Sequence, residues 1–186
     1  MATKSLFSQQ SVSGLLLALS GLVFVVGGML YTGRAIWKWE IGQTHRYLVI
    51  ERSFVIAPLL VALLGFTLLE RMLEADGDGI LALSGWVILL VGSCVAVFAE
   101  TYFISRGDLI YAPVVAFVIL DFLAQALFGA ALLRTHYLPA WMGWAVLLWN
   151  LGWLVIMPIA RPKDMYYPWL HYVAPLLIGI TLLVNG

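Results

Sequence analysis

The sequence predicts an all-α, polytopic integral membrane protein that folds as a bundle of six transmembrane helices. Three observations support this prediction. Of the 186 residues, 63% are hydrophobic and only 11% are charged, which lies outside the range of soluble proteins. The apolar residues form long runs of about twenty residues, the length at which a helix crosses a bilayer. The charged residues cluster in short segments between those runs.

We expect the whole chain to form a single transmembrane domain. Its predicted spans are, in order, 12–31, 47–69, 80–104, 109–133, 139–160 and 166–184. The first span is longer than the hydrophobic region of a secretory signal, and no A-x-A cleavage site follows it. Ten basic residues balance ten acidic residues, so no surplus of positive charge attracts nucleic acid, and we expect none as a partner.

Polar segments delimit the first three spans. The connector 33–46 ends the first span, and two tryptophans flank Lys38 there, as expected of a segment at the level of the lipid headgroups. Glu51 and Arg52 lie in the first turns of the second span, and the sequence leaves open whether they point into the bundle or toward the headgroups. The acidic turn 70–79 separates the second span from the third. Each boundary therefore contains charges that hydrocarbon excludes.

The last three spans have boundaries of the same kind. The tight connector 105–108 precedes the fourth span, and the linker 134–138 precedes the fifth. The fifth span opens with L-P-A-W-M-G-W (138–144), and the sixth opens with the aromatic belt Y-Y-P-W-L (166–170). These two runs resemble those of small six-helix bacterial membrane proteins. The resemblance implies a bacterial membrane and lends no activity to this chain.

The distribution of positive charge predicts the orientation. Six spans place both termini on one side of the membrane. That side carries three basic residues, Lys4, Arg71 and Arg134, and the other carries seven: Arg34, Lys38, Arg46, Arg52, Arg106, Arg161 and Lys163. The positive-inside rule identifies the second side as cytoplasmic. We therefore expect a plasma (inner) membrane protein whose termini face the extracytoplasmic side.

Five polar residues inside the spans form the candidate ligand-binding site: Glu100, Asp121, Gln125, Asn150 and His171. A charged side chain at the bilayer centre costs about 2.5–3.5 kcal/mol on insertion scales, which makes a functional role the default hypothesis. At about 1.5 Å per residue, Glu100 and His171 lie about 6 Å inside the predicted cytoplasmic boundary, and Asp121 and Asn150 about 18 Å. We expect Asp121 to be protonated and to donate to Asn150 or Gln125.

Pro175 lies four residues after His171. Proline has no backbone N–H, so it cannot donate a hydrogen bond to the carbonyl of His171. A free carbonyl thus lies beside an ionisable side chain, an arrangement found at membrane binding sites and at ordinary helix kinks. The histidines do not form a pair deep on separate spans, and the single cysteine has no nearby histidine cluster. We therefore expect neither haem nor a metal ion, and no other cofactor.

Several functional interpretations follow. The leading one is a non-enzymatic multi-pass membrane protein that binds a small or lipid-like molecule, or a proton, in an intramembrane polar cavity. An equally weighted structural interpretation is that Asp121, Gln125 and Asn150 only hold helices together by hydrogen bonds. The chain could instead be an accessory subunit or scaffold, in which the glycine stripe Gly14, Gly21 and Gly28 and the tryptophans of the fifth span dock a membrane-protein partner. It could also be an enzyme that acts on a lipid headgroup, with Glu100 and His171 as acid and base.

Overall fold

The computed structural model of the chain describes residues 8–160 and 169–185. These residues form six α-helices and a short 3-10 helix at Glu40–Gln43. The helices are α1 (Gln9–Ala35), α2 (His45–Ala75), α3 (Gly79–Arg106), α4 (Tyr111–Thr135), α5 (Ala140–Ala160) and α6 (Trp169–Asn185). No β-strand occurs among the described residues, and the predicted all-α helical bundle is confirmed.

Five of these helices, α1 to α5, are long and apolar enough to cross a membrane, and α6 is apolar but shorter. Each helix overlaps one predicted span. The helix α2 continues past the predicted end of its span to Ala75, because the residues that follow residue 69 are mostly good helix formers. It ends just before Gly77, whose φ of 99° suits glycine. The predicted beginning of the sixth span, residues 166–168, lies outside the described residues.

The helices pack as two triplets that face each other. In one triplet α1 lies between α2 and α6, and in the other α4 lies between α3 and α5. The helices α2 and α3 join the triplets along one side, and α4 also touches α2 and α6 across the interior. The central position of α4 explains why it is the most buried of the five long helices.

The apolar core fills one half of the bundle, the half that contains the start of α1 and the end of α6. Its largest fully buried side chains are Leu17, Phe66, Leu69, Leu73, Leu89, Phe128, Leu132, Met142, Ile178 and Leu182. The buried ionisable residues within helices come from the opposite half: Glu51, Arg52, Glu100, Asp121 and His171. The interior is therefore divided along its length into an apolar half and a polar half.

The small residues of α1 let its two neighbours approach closely. A Cβ at Gly14 would lie 3.0 Å from the carbonyl oxygen of Gly179 on α6, and a Cβ at Gly27 would lie 2.6 Å from the carbonyl oxygen of Phe54 on α2. Pro58 leaves that Phe54 carbonyl without its helical donor, so the close approach uses an acceptor that the helix itself cannot pair. Gly14 and Gly27 of α1 are thus packed within the chain, against α6 and α2 respectively.

Replacing Gly179 with alanine will test the α1–α6 approach. A Cβ at Gly179 would lie 2.7 Å from the Gly14 carbonyl oxygen, so Gly179→Ala forces the helices apart and lowers the free energy of unfolding by about 1–3 kcal/mol. Gly152→Ala is the matched control, because nothing lies within 4 Å of its added Cβ and alanine favours the helix by about 1 kcal/mol. Unfolding in mixed micelles measures both variants; equal effects would contradict the close approach.

Candidate functional site

A buried ion-pairing contact between α4 and α6 lies at the centre of the candidate site. His171 Nδ1 is 2.7 Å from Asp121 Oδ2, and both side chains are almost wholly buried. The imidazole ring packs against Phe122, with 4.2 Å between ring centroids, and against Phe117, with 5.4 Å. The aromatic rings fix the plane of the imidazole, and the carboxylate occupies one of its two nitrogens. A proton can therefore move only between His171 Nδ1 and Asp121 Oδ2, or through the second nitrogen of the imidazole ring.

Gln125 completes this contact through its amide nitrogen. Gln125 Nε2 donates to Asp121 Oδ2 at 2.7 Å and to the carbonyl oxygen of His171 at 2.9 Å. That carbonyl is the one that Pro175 leaves without a helical donor. Gln125 Oε1 is buried and has no hydrogen-bond partner among the described residues. The expected hydrogen bond between Asp121 and Gln125 thus exists in the opposite direction, because Asp121 accepts rather than donates.

The depth predicted for His171 is wrong. The sequence placed it at the level of Glu100, whereas it lies at the level of Asp121 and Gln125. The reason is the depth at which the first described turn of α6 packs: Tyr172 stacks on Phe24 with 4.3 Å between ring centroids. From Phe24, α1 continues to Ala35, which at 1.5 Å per residue is about 16 Å further.

A chain of alternating charges lies in the same half of the bundle and connects α1, α2 and α3. Arg34 Nη2 donates to Glu51 Oε1 at 2.9 Å, and Arg52 Nη2 lies 3.0 Å from the same oxygen. Arg52 Nη1 then donates to Glu100 Oε2 at 3.2 Å. The guanidinium of Arg52 also lies over the ring of Phe103, 4.6 Å from its centroid. These four charges sum to zero, so each buried charge has an opposite partner. This pairing offsets part of the free energy that is needed to remove the charges from water.

The structure settles the direction of Glu51 and Arg52, which the sequence left open: both point into the bundle and are buried. Of the members of this chain, the sequence analysis included only Glu100 among the candidate site residues. A signal was present, because Arg34 lies near the end of α1 and Glu51 near the start of the antiparallel α2. Opposite charges at matching depths on consecutive spans indicate an interhelical pair.

Two adjoining cavities lie between the charge chain and the His171–Asp121 contact. The larger has about 40 Å³ of room for the centres of water-sized molecules, and the smaller about 10 Å³. Glu100 lines the larger cavity, Asp121 and Gln125 line the smaller, and His171 lines both. The remaining walls are apolar or aromatic, with Leu59, Phe117 and Tyr172 shared by the two cavities.

Asn150 does not join the other predicted site residues. Its Nδ2 donates to the carbonyl oxygen of Val146 on its own helix at 2.7 Å, and its Oδ1 has no partner among the described residues. It lines neither of the two cavities. Of the five predicted residues, the structure therefore brings Asp121, Gln125 and His171 into direct contact, and it places Glu100 on the same cavity system.

Comparison with protein-family models, with curated proteins and with solved structures returned no match. The chemistry of the site is therefore argued from its own groups. An imidazole–carboxylate contact that borders a cavity can bind a proton, and the adjoining cavity can admit water or a small solute.

Removing Arg52 will test the charge chain. Arg52→Gln takes away the cation between two buried carboxylates and should lower the free energy of unfolding by about 3–5 kcal/mol. Arg34→Gln should cost less, because 21% of the Arg34 side chain is exposed and solvent screens the charge of Glu51. The double variant Arg52→Gln/Glu100→Gln should recover part of the loss. Additive losses in the double variant would show that the two side chains do not interact.

A double-mutant cycle will test the role of Pro175. Gln125→Leu leaves the His171 carbonyl without a donor and should lower the free energy of unfolding by about 1–3 kcal/mol. In a Pro175→Ala background, the new N–H at position 175 can donate to that carbonyl, so Gln125→Leu should cost less. Equal losses from Gln125→Leu in both backgrounds would show that the carbonyl does not depend on Gln125.

Proposed function

We propose that the chain is a non-enzymatic multi-pass membrane protein that binds a small molecule or a proton in the intramembrane cavity between α1, α2, α3, α4 and α6. One observation carries the proposal. The larger cavity has Glu100 in its wall toward the charge chain and His171 in its wall toward Asp121, while its other walls are mostly apolar. A mainly apolar cavity with a few convergent polar groups is the usual form of a small-molecule site.

The size of the cavity favours a small occupant. About 40 Å³ of room for water centres accommodates roughly three waters at about 10–15 Å³ each. Such a row of waters can carry a proton from Glu100 to the His171 imidazole. The same volume also suits a solute of a few non-hydrogen atoms better than a whole lipid.

The geometry favours this function over the scaffold and over the lipid-headgroup enzyme. A scaffold that docks its partner through the glycine stripe of α1 is disfavoured, because α6 already covers Gly14 and Gly21 of that stripe. An enzyme that acts on lipid headgroups needs its acid and base near the membrane surface. His171 instead lies opposite Asp121, deep in the bundle.

The cellular setting belongs to the same proposal. Among the described residues, the polar half of the bundle and its connectors contain five basic residues, Arg34, Lys38, Arg46, Arg52 and Arg106, and the opposite end contains Arg71 and Arg134. This excess supports a plasma (inner) membrane location with extracytoplasmic termini. The contact of Gln10 Nε2 with the carbonyl oxygen of Leu182, at 3.2 Å, supports the two ends lying on one side. In this orientation the cavity faces the cytoplasm.

Nuclear magnetic resonance of ¹⁵N-labelled histidine side chains will test proton binding. The ring N–H of His171 should exchange with solvent at a measurable rate in the wild-type protein, because the cavity borders the imidazole, and His171→Gln assigns its signal among the three histidines. Ala96→Leu fills the cavity and should slow this exchange at least tenfold. Cys94→Leu is the matched control, since Cys94 is exposed on the same helix.

Two results would contradict the proposal. One is a His171 ring proton that does not exchange with solvent in the wild-type protein. The other is an unaltered exchange rate in a folded Ala96→Leu variant, which would show that the proton reaches His171 by a route other than the cavity.

A further inference from the structure

The side-chain amide of Gln125 has a fixed orientation. Its Nε2 donates to the carbonyl oxygen of His171 at 2.9 Å and to Asp121 Oδ2 at 2.7 Å. A backbone carbonyl can only accept a hydrogen bond, so the nitrogen rather than the oxygen of the amide must face it. The amide oxygen, Oε1, is therefore left to accept from another donor. It is buried and has no hydrogen-bond partner among the described residues.

The smaller cavity provides the place for such a donor, because Gln125 lines it. A buried acceptor that no donor reaches costs free energy, and a ligand that donates to it recovers that cost. The cavity has about 10 Å³ of room for the centres of water-sized molecules, so it accepts a group about as large as one water. A hydroxyl has that size and carries one donor, whereas an ammonium group needs an acceptor for each of its three N–H groups.

The larger cavity suits an apolar group attached to that hydroxyl. It adjoins the smaller cavity, and the two share walls formed by Leu59, Phe117 and Tyr172. Its further walls include the aliphatic side chains of Val55 and Val114. At about 40 Å³ it adds space for roughly three water-sized groups. The two cavities together therefore suit a molecule with a hydroxyl at one end and a short alkyl group at the other.

We propose that the two cavities bind a short-chain alcohol, whose hydroxyl donates to Gln125 Oε1 and whose alkyl group lies in the larger cavity. The inference rests on the proposed function and names the ligand class of the same site. A ketone of the same shape has no donor and leaves Gln125 Oε1 without a hydrogen bond. The donor therefore distinguishes the alcohol from its isosteres.

The test compares isopropanol with two isosteres, acetone and isopropylammonium, on the full-length protein in micelles. Saturation-transfer magnetic resonance of their methyl protons measures binding. The difference from Ala96→Leu, in which leucine fills the larger cavity, removes the contribution of the micelle. Isopropanol should bind at least about tenfold more tightly than acetone, because only the alcohol donates to Gln125 Oε1. Isopropylammonium should also bind more weakly than isopropanol.

Two variants that each replace a buried amide locate the hydrogen bond. Gln125→Leu deletes the acceptor, so the ratio of the affinities for isopropanol and acetone should fall to about one. Asn150→Leu is the matched control, because Asn150 is also buried and its Oδ1 likewise has no partner in the part of the chain that the structure describes, but it lines neither cavity. Asn150→Leu should keep the wild-type ratio.

A spectroscopic measurement on the wild-type protein does not depend on how the variants fold. With ¹³C at the side-chain carbonyl of glutamine, isopropanol should shift the Gln125 signal, because the hydroxyl donates to that carbonyl. Acetone should leave the signal in place.

Three results would overturn the assignment of an alcohol. Equal binding of isopropanol and acetone to the wild-type protein shows recognition by shape alone. Tighter binding of isopropylammonium than of isopropanol shows that the cavities select a cation. A Gln125 carbonyl signal that bound isopropanol does not shift, or a preference for isopropanol that persists in a folded Gln125→Leu variant, shows that the hydroxyl binds elsewhere.

The exchange of the His171 ring proton distinguishes this inference from the proposed function. Normal exchange in a protein that does not prefer isopropanol overturns the alcohol and leaves the proposed function intact. A ring proton that does not exchange contradicts the proposed route of the proton, and the preference for isopropanol then decides the alcohol site independently.

Discussion

The constraint on which this structure depends is that hydrocarbon cannot solvate a charge. Each buried ionisable group must therefore find its partner within the bundle. Arg52 is the central example, since its guanidinium contacts both Glu51 and Glu100 and joins α2 to α3. Arg34 extends the same chain to α1. The charges thus hold the polar ends of three helices in register, a task that the apolar side chains perform in the other half.

Two prolines show a second consequence of the same constraint. A proline inside a helix leaves a carbonyl without its donor, and water cannot replace that donor inside a membrane. Near Pro58 the close approach of Gly27 covers the free carbonyl of Phe54. Near Pro175 the amide of Gln125 pairs the free carbonyl of His171. The same amide of Gln125 also donates to Asp121. One side chain therefore both pairs the free backbone carbonyl and belongs to the candidate site.

Much of the fold could be predicted from the sequence, and less of the site. Long apolar runs and their polar boundaries determine where helices lie, because helix length must match the hydrocarbon thickness. The site depends on how helices rotate and how deep they start. His171 was placed too shallow because the neighbouring Tyr172 packs against Phe24, about 16 Å from the end of α1. Asn150 was grouped by depth alone, yet its amide turns back to its own helix. The rotation of each helix about its own axis is set by packing against its neighbours, and a single sequence does not show that packing.

The division of the interior into two halves also limits what the site can do. Beyond Gln125, the fully buried side chains of Phe66, Phe128 and Ile178 belong to the apolar core. The smaller cavity reaches this core, because Phe66 lines it together with Asp121 and Gln125. Passage of a solute to the opposite side of the bundle would require the apolar half to repack. The tight contacts of Gly14 and Gly179 between α1 and α6 oppose that rearrangement.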